Sequence, residues 1–290
     1  MSLTTGDECG RLNMILGVVL YITPCFCAVW RETDMFKKEP DILSGPIASG
    51  LLAISVPIMI MNVVQTLFNI VDMTILKMFD TDGGYAVGAV GSSSTLISLI
   101  TGLLIGIASG ATVVIAKRIG SGDKERVERA VGTSLVVSVI GGLSLLVVGV
   151  LGAETFLGWM NCPEKLLSQA VLYFRLYFVG VPILMIYNFC AAILRAAGDS
   201  RRPMIYLTLG GALKIVMNFV FVGLCDMTVV GVALATILSW LLSAVLGVRA
   251  LLKYDGVIKI NLKRLRIYRE ELSQILYIGV PAVCNRPSIR

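Results

Sequence analysis

Uncharged stretches long enough to form membrane helices alternate with short charged loops along most of the chain. The stretches are Ile42–Val71, Gly83–Ala116, Ala130–Ala153, Leu166–Leu194 with Arg175 inside it, Pro203–Cys225 with Lys214 inside it, and Met227–Val248; a seventh starts at Leu272. A helix rises ~1.5 Å per residue and a hydrocarbon core is roughly 30 Å thick, so each of the first six can span a bilayer. The pattern predicts an all-α polytopic membrane protein with six spans and the start of a seventh. The loops alternate in charge. The second holds Lys117, Arg118, Lys124, Arg126 and Arg129, and the fourth holds Arg195, Arg201 and Arg202. The sixth holds Arg249, Lys253, Lys259, Lys263, Arg264, Arg266 and Arg269, whereas the odd loops hold only Lys77 and Lys165. The positive-inside rule therefore puts the even loops, and the amino-terminal tail with Lys37 and Lys38, in the cytoplasm.

The first stretch carries a polar stripe. Asn62, Gln65, Asn69 and Asp72 sit at i, i+3, i+7 and i+10, one face of a helix, and no charged residue occurs between Asp41 and Asp72. Polar groups in hydrocarbon are costly unless they face a cavity or a partner helix, so this face is expected to look inward. Pro57 removes a backbone hydrogen bond early in the same run and invites a bend. In the fifth stretch, Lys214 and Asn218 share a face at i, i+4, and Lys214 lies ~16 Å along the span from Pro203. A lysine at that depth is a functional candidate, with a buried ion pair between two helices as the structural alternative. Asp72 has its own alternative, a helix-end cap, and the amide stripe has interhelical hydrogen bonding. Arg175 is also too deep for a loop charge and is expected to snorkel or pair, with Tyr173 and Tyr177 nearby.

Composition narrows the chemistry. The chain is 56% hydrophobic and 15% charged, which suits a membrane protein and not a soluble domain of 290 residues. It has no histidine, so histidine acid–base catalysis and histidine metal ligation are excluded. The seven cysteines form no CxxC and lie mostly in apolar runs, where they read as packing residues. The net charge of +6 is spread over short loops, a topology signal rather than a nucleic-acid footprint. Met59, Met61, Met73, Met78, Met185 and Met217 suggest either core filling or an adaptable surface for flat apolar molecules.

Residues 1–34 stand apart: Arg11 and Arg31 bracket the uncharged run Leu12–Trp30, broken by Pro24. This segment reads as an extra apolar helix, a signal-like segment without an A-x-A-type cleavage site, or sequence upstream of a natural start at Met35. Gly102, Gly106 and Gly110 recur every fourth residue, a spacing that lets helices approach closely. In GSGDKER (Gly120–Arg126) and GDSRR (Gly198–Arg202), a glycine is expected to end one helix and Asp123 or Asp199 to cap the next. Leu272–Ala282 (LSQILYIGVPA) falls over Ala48–Ile58 (ASGLLAISVPI), a faint internal repeat with the orientation expected of parallel six-helix halves.

Five segments in order, VPIMIMNVVQTLFNIVD, AKRIGSGDKERVERA, AVLYFRLYFVGVP, LRAAGDSRRP and VVGVALATILS, make the chain resemble the multidrug and toxic compound extrusion (MATE) family from about Asp41 to Pro281. The resemblance implies a fold of twelve helices in two six-helix lobes, of which this chain matches the amino-terminal lobe. It implies residues 1–34 as a non-family extension, 35–256 as the lobe, and 257–290 as a cytoplasmic linker with a truncated start of the second lobe. It implies a bacterial inner-membrane antiporter that exports drugs or small organic cations in exchange for H⁺ or Na⁺, with no cofactor beyond that ion. Its partners are then the bilayer and the missing carboxy-terminal lobe or a second chain. In one branch the coupling cation is held by an Asp on the first helix, an Asn and an Asp on the fifth, and a Thr on the sixth. Asp72 and Thr236 fall on the first and last of these. Lys214 stands at the Asn and Asn218 at the Asp, so the set loses a carboxylate and gains an amine, which argues against a Na⁺ site there.

From the residues themselves, Gln65, Asn69, Asp72, Asn218 and Thr236 can supply oxygens to a hard cation, or Asp72 can carry a proton beside Lys214. Two other readings stand beside the exporter. A related lipid-linked oligosaccharide flippase calls for many basic residues lining a cavity, and only Arg175 and Lys214 are intramembrane. A half-protein without transport of its own fits the apparent truncation. A membrane-embedded enzyme needs a clustered catalytic set that the chain lacks.

Overall fold

The structure, a computed structural model, describes residues 59, 62–63, 65–77, 85–160, 163–225, 227–254 and 266–284. The regular structure among them is helical. α1 covers residues 65–77, followed by α2 (Tyr85–Gly120), α3 (Lys124–Trp159), α4 (Glu164–Ala196), α5 (Arg201–Asn218), a π-helical turn (Phe219–Leu224), α6 (Val229–Leu252) and α7 (Arg269–Cys284). The order matches the expected spans, and five of these helices are long and apolar enough to cross a membrane. Several run past the uncharged stretches at both ends; α3 takes in Lys124 at one end and Trp159 at the other. Pro57, Met61, Met78, residues 1–34 and the first copy of the repeat lie outside the described residues.

α4 is the central post. It packs on α2, α3 and α6, and Phe174, Phe178, Met185, Phe189, Ile193 and Leu194 on it are fully buried. α3 shows the opposite logic: Val139, Ile140, Leu143, Val147, Val148 and Leu151 are exposed along it, as suits a surface that meets lipid tails rather than water. Arg175 does pair: its guanidinium meets the Glu154 carboxylate at 2.8 Å and donates to the Val150 carbonyl at 3.3 Å. Tyr173 and Tyr177 are buried, whereas Arg175 is exposed.

The helix ends follow the sequence signals. Gly122 and Gly198 adopt φ of 72° and 91°, where a side chain would be strained. Asp123 then accepts from the Arg126 amide at 3.1 Å and Asp199 from the Arg202 amide at 3.0 Å, satisfying first-turn donors of α3 and α5.

The glycine spacing on α2 serves α7. A Cβ at Gly110 would come within 2.8 Å of the Gly279 amide nitrogen, and one at Gly279 within 2.8 Å of the Ile107 Cα, so the two backbones touch. Gly102 has open space around it and lines the cavity described below. At the arginine-rich end, Arg118 of α2 forms a 3.0 Å ion pair with Glu271 of α7 and donates to Gln274 at 3.4 Å, and both charged residues are buried. The segment entering α7 is held as well: Thr133 donates to the Arg266 carbonyl and accepts from the Tyr268 amide, while Arg129 lies over the Tyr268 ring at 5.2 Å.

Removing one partner of a buried ion pair leaves the other charge uncompensated, so Glu271→Ala is expected to cost about 3–5 kcal/mol. The neighbouring exposed Glu270→Ala serves as control. Unfolding followed by tryptophan fluorescence in detergent checks this, and equal losses for the two variants would show that the clamp is not formed.

Candidate functional site

The site is built where α1, α5 and α6 converge. α5 carries the glycine pair Gly210–Gly211 one turn before Lys214. A Cβ on Gly210 would sit 2.9 Å from the Ser239 carbonyl oxygen of α6, and one on Gly211 would run into the ring of Phe68 on α1. Two adjacent residues without side chains therefore let α5 fit between its neighbours. On the same face as Gly211, the two turns after the glycines present Lys214 and Asn218 to the polar side of α1.

There the Lys214 ammonium forms an ion pair with the Asp72 Oδ2. The Asn218 side-chain amide donates to the Asp72 Oδ1 at 2.5 Å. Both carboxylate oxygens are thus engaged, and Asp72 is 8% exposed. Asp72 is not a helix-end cap, because α1 continues through Lys77. Asn218 is fully buried, and its Oδ1 has no hydrogen-bond partner among the described residues. Immediately after Asn218 the helix widens into the π turn, with the Cys225 amide bonded to the Val220 carbonyl at 3.1 Å in the i→i−5 pattern. Such turns displace side chains relative to an α-helix and recur at functional sites.

A cavity of about 1070 Å³ opens onto this group. Gln65, Asn69, Asp72, Lys214 and Thr236 all line it, so the structure gathers those expected residues around one space, with Asn218 behind Asp72. The amide stripe therefore does face inward, apart from Asn62, which is exposed and is not on the wall. Thr236 lines the cavity without reaching Asp72: its hydroxyl donates to the Val232 carbonyl at 2.8 Å within α6. Met73 lines the cavity, Met185 is core, Met59 is exposed and Met217 is half-buried.

Part of the wall escaped the sequence reading. Ser94, Ser98 and Thr101 of α2 line the cavity, and their spacing of four and three residues puts them on one helix face. That spacing was the available signal, hidden because hydroxyls are common in apolar helices. The aromatic side consists of Tyr173, Tyr177 and Trp240; the Tyr177 and Trp240 rings meet edge to face at 4.9 Å, and the Tyr177 hydroxyl lies 3.3 Å from that of Thr101. Nothing in the sequence alone placed Trp240 there.

Comparison with known proteins agrees with this architecture. The family model described as MatE matches residues 57–220. Among curated proteins, the probable multidrug resistance protein YpnP of Bacillus subtilis is 26% identical over 84% of this chain and 54% of its own length. The probable multidrug resistance protein YoeA of the same organism is 28% identical over 89% of this chain and 53% of its own length. A crystal structure of MATE in the bent conformation superposes with a TM-score of 0.78 and 30% identity, covering 85% of this chain and 55% of that one. The chain spans about half the length of the curated relatives it matches.

The coupling of Asp72 to Lys214 is measurable as a double-mutant cycle. Asp72→Asn or Lys214→Met alone is expected to lower stability by about 3–5 kcal/mol, because each leaves a buried charge alone, and the double variant to recover most of that loss. Denaturation in detergent gives the four stabilities, and strictly additive losses would mean the two groups do not interact.

Proposed function

Because this chain belongs to the MatE family, a family of transporters and not enzymes, we propose that residues 35–256 are the amino-terminal lobe of a secondary active exporter driven by H⁺. The chain is an integral membrane protein with bacterial relatives. In this reading its amino terminus and arginine-rich loops face the cytoplasm of a bacterial inner membrane. Residues 257–290 begin a second lobe, and transport is completed by that lobe or by a second chain. Drug-like organic molecules are the cargo, and the names of the curated relatives support that class.

The observation that carries the choice of ion is the Asp72–Lys214 pair with Asn218 beside it. Asp72, Asn69, Gln65, Lys214, Asn218 and Thr236 form the coupling site. A Na⁺ ion needs several oxygens and a net negative cage. Here an ammonium fills the place beside the carboxylate where such an ion would act, and Asn218 offers an amide donor to Asp72. What can still change at Asp72 is protonation. A proton on Asp72 cancels its attraction for Lys214, and its loss restores it, so the two arrangements of α1 and α5 differ in proton affinity. That difference is what an ion gradient needs to bias a conformational equilibrium. The flippase reading has less support, since the cations on the described wall are Lys77 and the already paired Lys214.

Reconstituted in liposomes, alone and with a carboxy-terminal lobe supplied, the chain is expected to move a fluorescent drug under an imposed pH gradient and not under a Na⁺ gradient. Lys214→Asn/Asn218→Asp restores the residue pair of the cation-binding branch and is expected to add a Na⁺ response. Efflux driven by Na⁺ in the unmodified protein, or unchanged ion dependence in the double variant, would refute proton coupling through this pair.

A further inference from the structure

Among the described residues, the wall of the cavity carries little free charge. Among the described residues lining it, the acidic and basic side chains are Asp72, Lys77 and Lys214. Asp72 is the single carboxylate of that set, and both its oxygens are taken, Oδ2 by Lys214 and Oδ1 by Asn218. The stripe that precedes it adds none, because the sequence from 42 to 71 is uncharged.

A cationic cargo entering this space meets an unfavourable exchange. To gain a counter-ion it must pull Asp72 away from Lys214. That leaves the ammonium unpaired in a poorly solvated site, close to the charge that displaced it, and buried charges without partners are strongly disfavoured. Lys77 adds a second like charge on the wall. An anion faces the mirror problem, since capturing Lys214 strands Asp72. An uncharged molecule escapes both costs. It can lie against Tyr177 and Trp240 and hydrogen-bond to Gln65, Asn69 or Ser98 with the ion pair intact.

We propose that this cavity selects uncharged amphipathic aromatic molecules over organic cations, because Lys214 is a built-in occupant of the carboxylate that a cationic cargo would need. The assignment rests on reading the cavity as the cargo site of the exporter, and it departs from the organic cations that the family resemblance implies. It also constrains coupling. Uncharged cargo cannot compete with a proton by charge for Asp72, so the two must communicate through the positions of α1 and α5.

The test compares two aromatic probes of the same shape, one bearing a trimethylammonium group and one bearing the tert-butyl group in which carbon replaces nitrogen. Binding to the full chain in nanodiscs is read from Trp240 fluorescence, with Trp240→Phe subtracting the signal from probe dissolved in lipid. In the unmodified protein the tert-butyl probe is expected to bind at least about tenfold more tightly, a difference of about 1.4 kcal/mol. In Lys214→Met the ammonium probe is expected to gain at least about tenfold relative to the tert-butyl probe. Tighter binding of the ammonium probe to the unmodified protein, an unchanged ratio in Lys214→Met, or no binding of either probe overturns the proposal. If Lys214→Met fails to fold, the ratio in the unmodified protein decides by itself. Binding of the tert-butyl probe without export of any drug in liposomes would sink the exporter reading and leave the charge preference standing.

Discussion

A buried carboxylate cannot stand alone in hydrocarbon, and the site of this protein is organised around how Asp72 is answered. Its two oxygens are met by an ammonium and an amide from the same helix, one turn apart. Placing Lys214 and Asn218 at i, i+4 gives α5 a two-pronged grip on α1. The grip needs the helices closer than ordinary side chains allow, and Gly210–Gly211 provides that approach against Ser239 and Phe68. The π turn after Asn218 then releases the regular helical register where the contact ends. Together these features share one geometric requirement, which is to bring a charged pair from two helices to the wall of a cavity.

The arginine-rich end of the helix bundle solves a similar problem with different chemistry. Arg118 and Glu271 are also buried and paired, but they sit beside the arginine-rich loops and not on the cavity. Around them Gln274 accepts a second bond from Arg118, and Thr133 and Arg129 contact Arg266 and Tyr268 just before α7. Further into the membrane, Gly106, Gly110 and Gly279 let α2 and α7 touch along their backbones. Within the membrane a close glycine contact gains dispersion energy and not hydrophobic energy, since lipid tails are as apolar as the side chains they replace. The polar clamp at the end is therefore what fixes the register of α7 on α2.

Periodicity and charge asymmetry made the helices legible, because hydrocarbon tolerates few other backbone arrangements and every span must be a long apolar helix. The residues of the site were legible for a related reason: a polar group inside an apolar run is conspicuous, and Asp72, Lys214, Gln65 and Asn69 all stand out that way. The pairing of Asp72 with Lys214 was present in the sequence only as one alternative, since intramembrane charges show no partner until the helices are assembled. Arg118 and Glu271 were invisible as a pair. In the sequence they fall in charged segments between apolar runs, where the expected reading is a solvated end, and their burial depends on how the start of α7 packs against α2 and α3. The aromatic wall was hidden for the converse reason, because tryptophan and tyrosine are unremarkable in apolar helices and which face they occupy is decided by packing on α4 and α6.

The tethering of the Lys214 charge beside Asp72 has a mechanical consequence. A free metal ion can leave a site and take its charge with it, so the empty cage repels itself and opens. A lysine cannot leave; its charge is tethered to α5, and the only way to separate it from Asp72 without stranding two buried ions is to move the helix or to neutralise the carboxylate. In the proposed coupling α5 is the helix that moves. It has few contacts with the central post α4 and takes its support from α6 through the small residues Gly210, Ser239 and Ser243. α4, by contrast, is locked by fully buried aromatic side chains against its neighbours. In the proposed coupling the charge state of Asp72 is tied to the position of α5, which packs on α6 more than on the post α4.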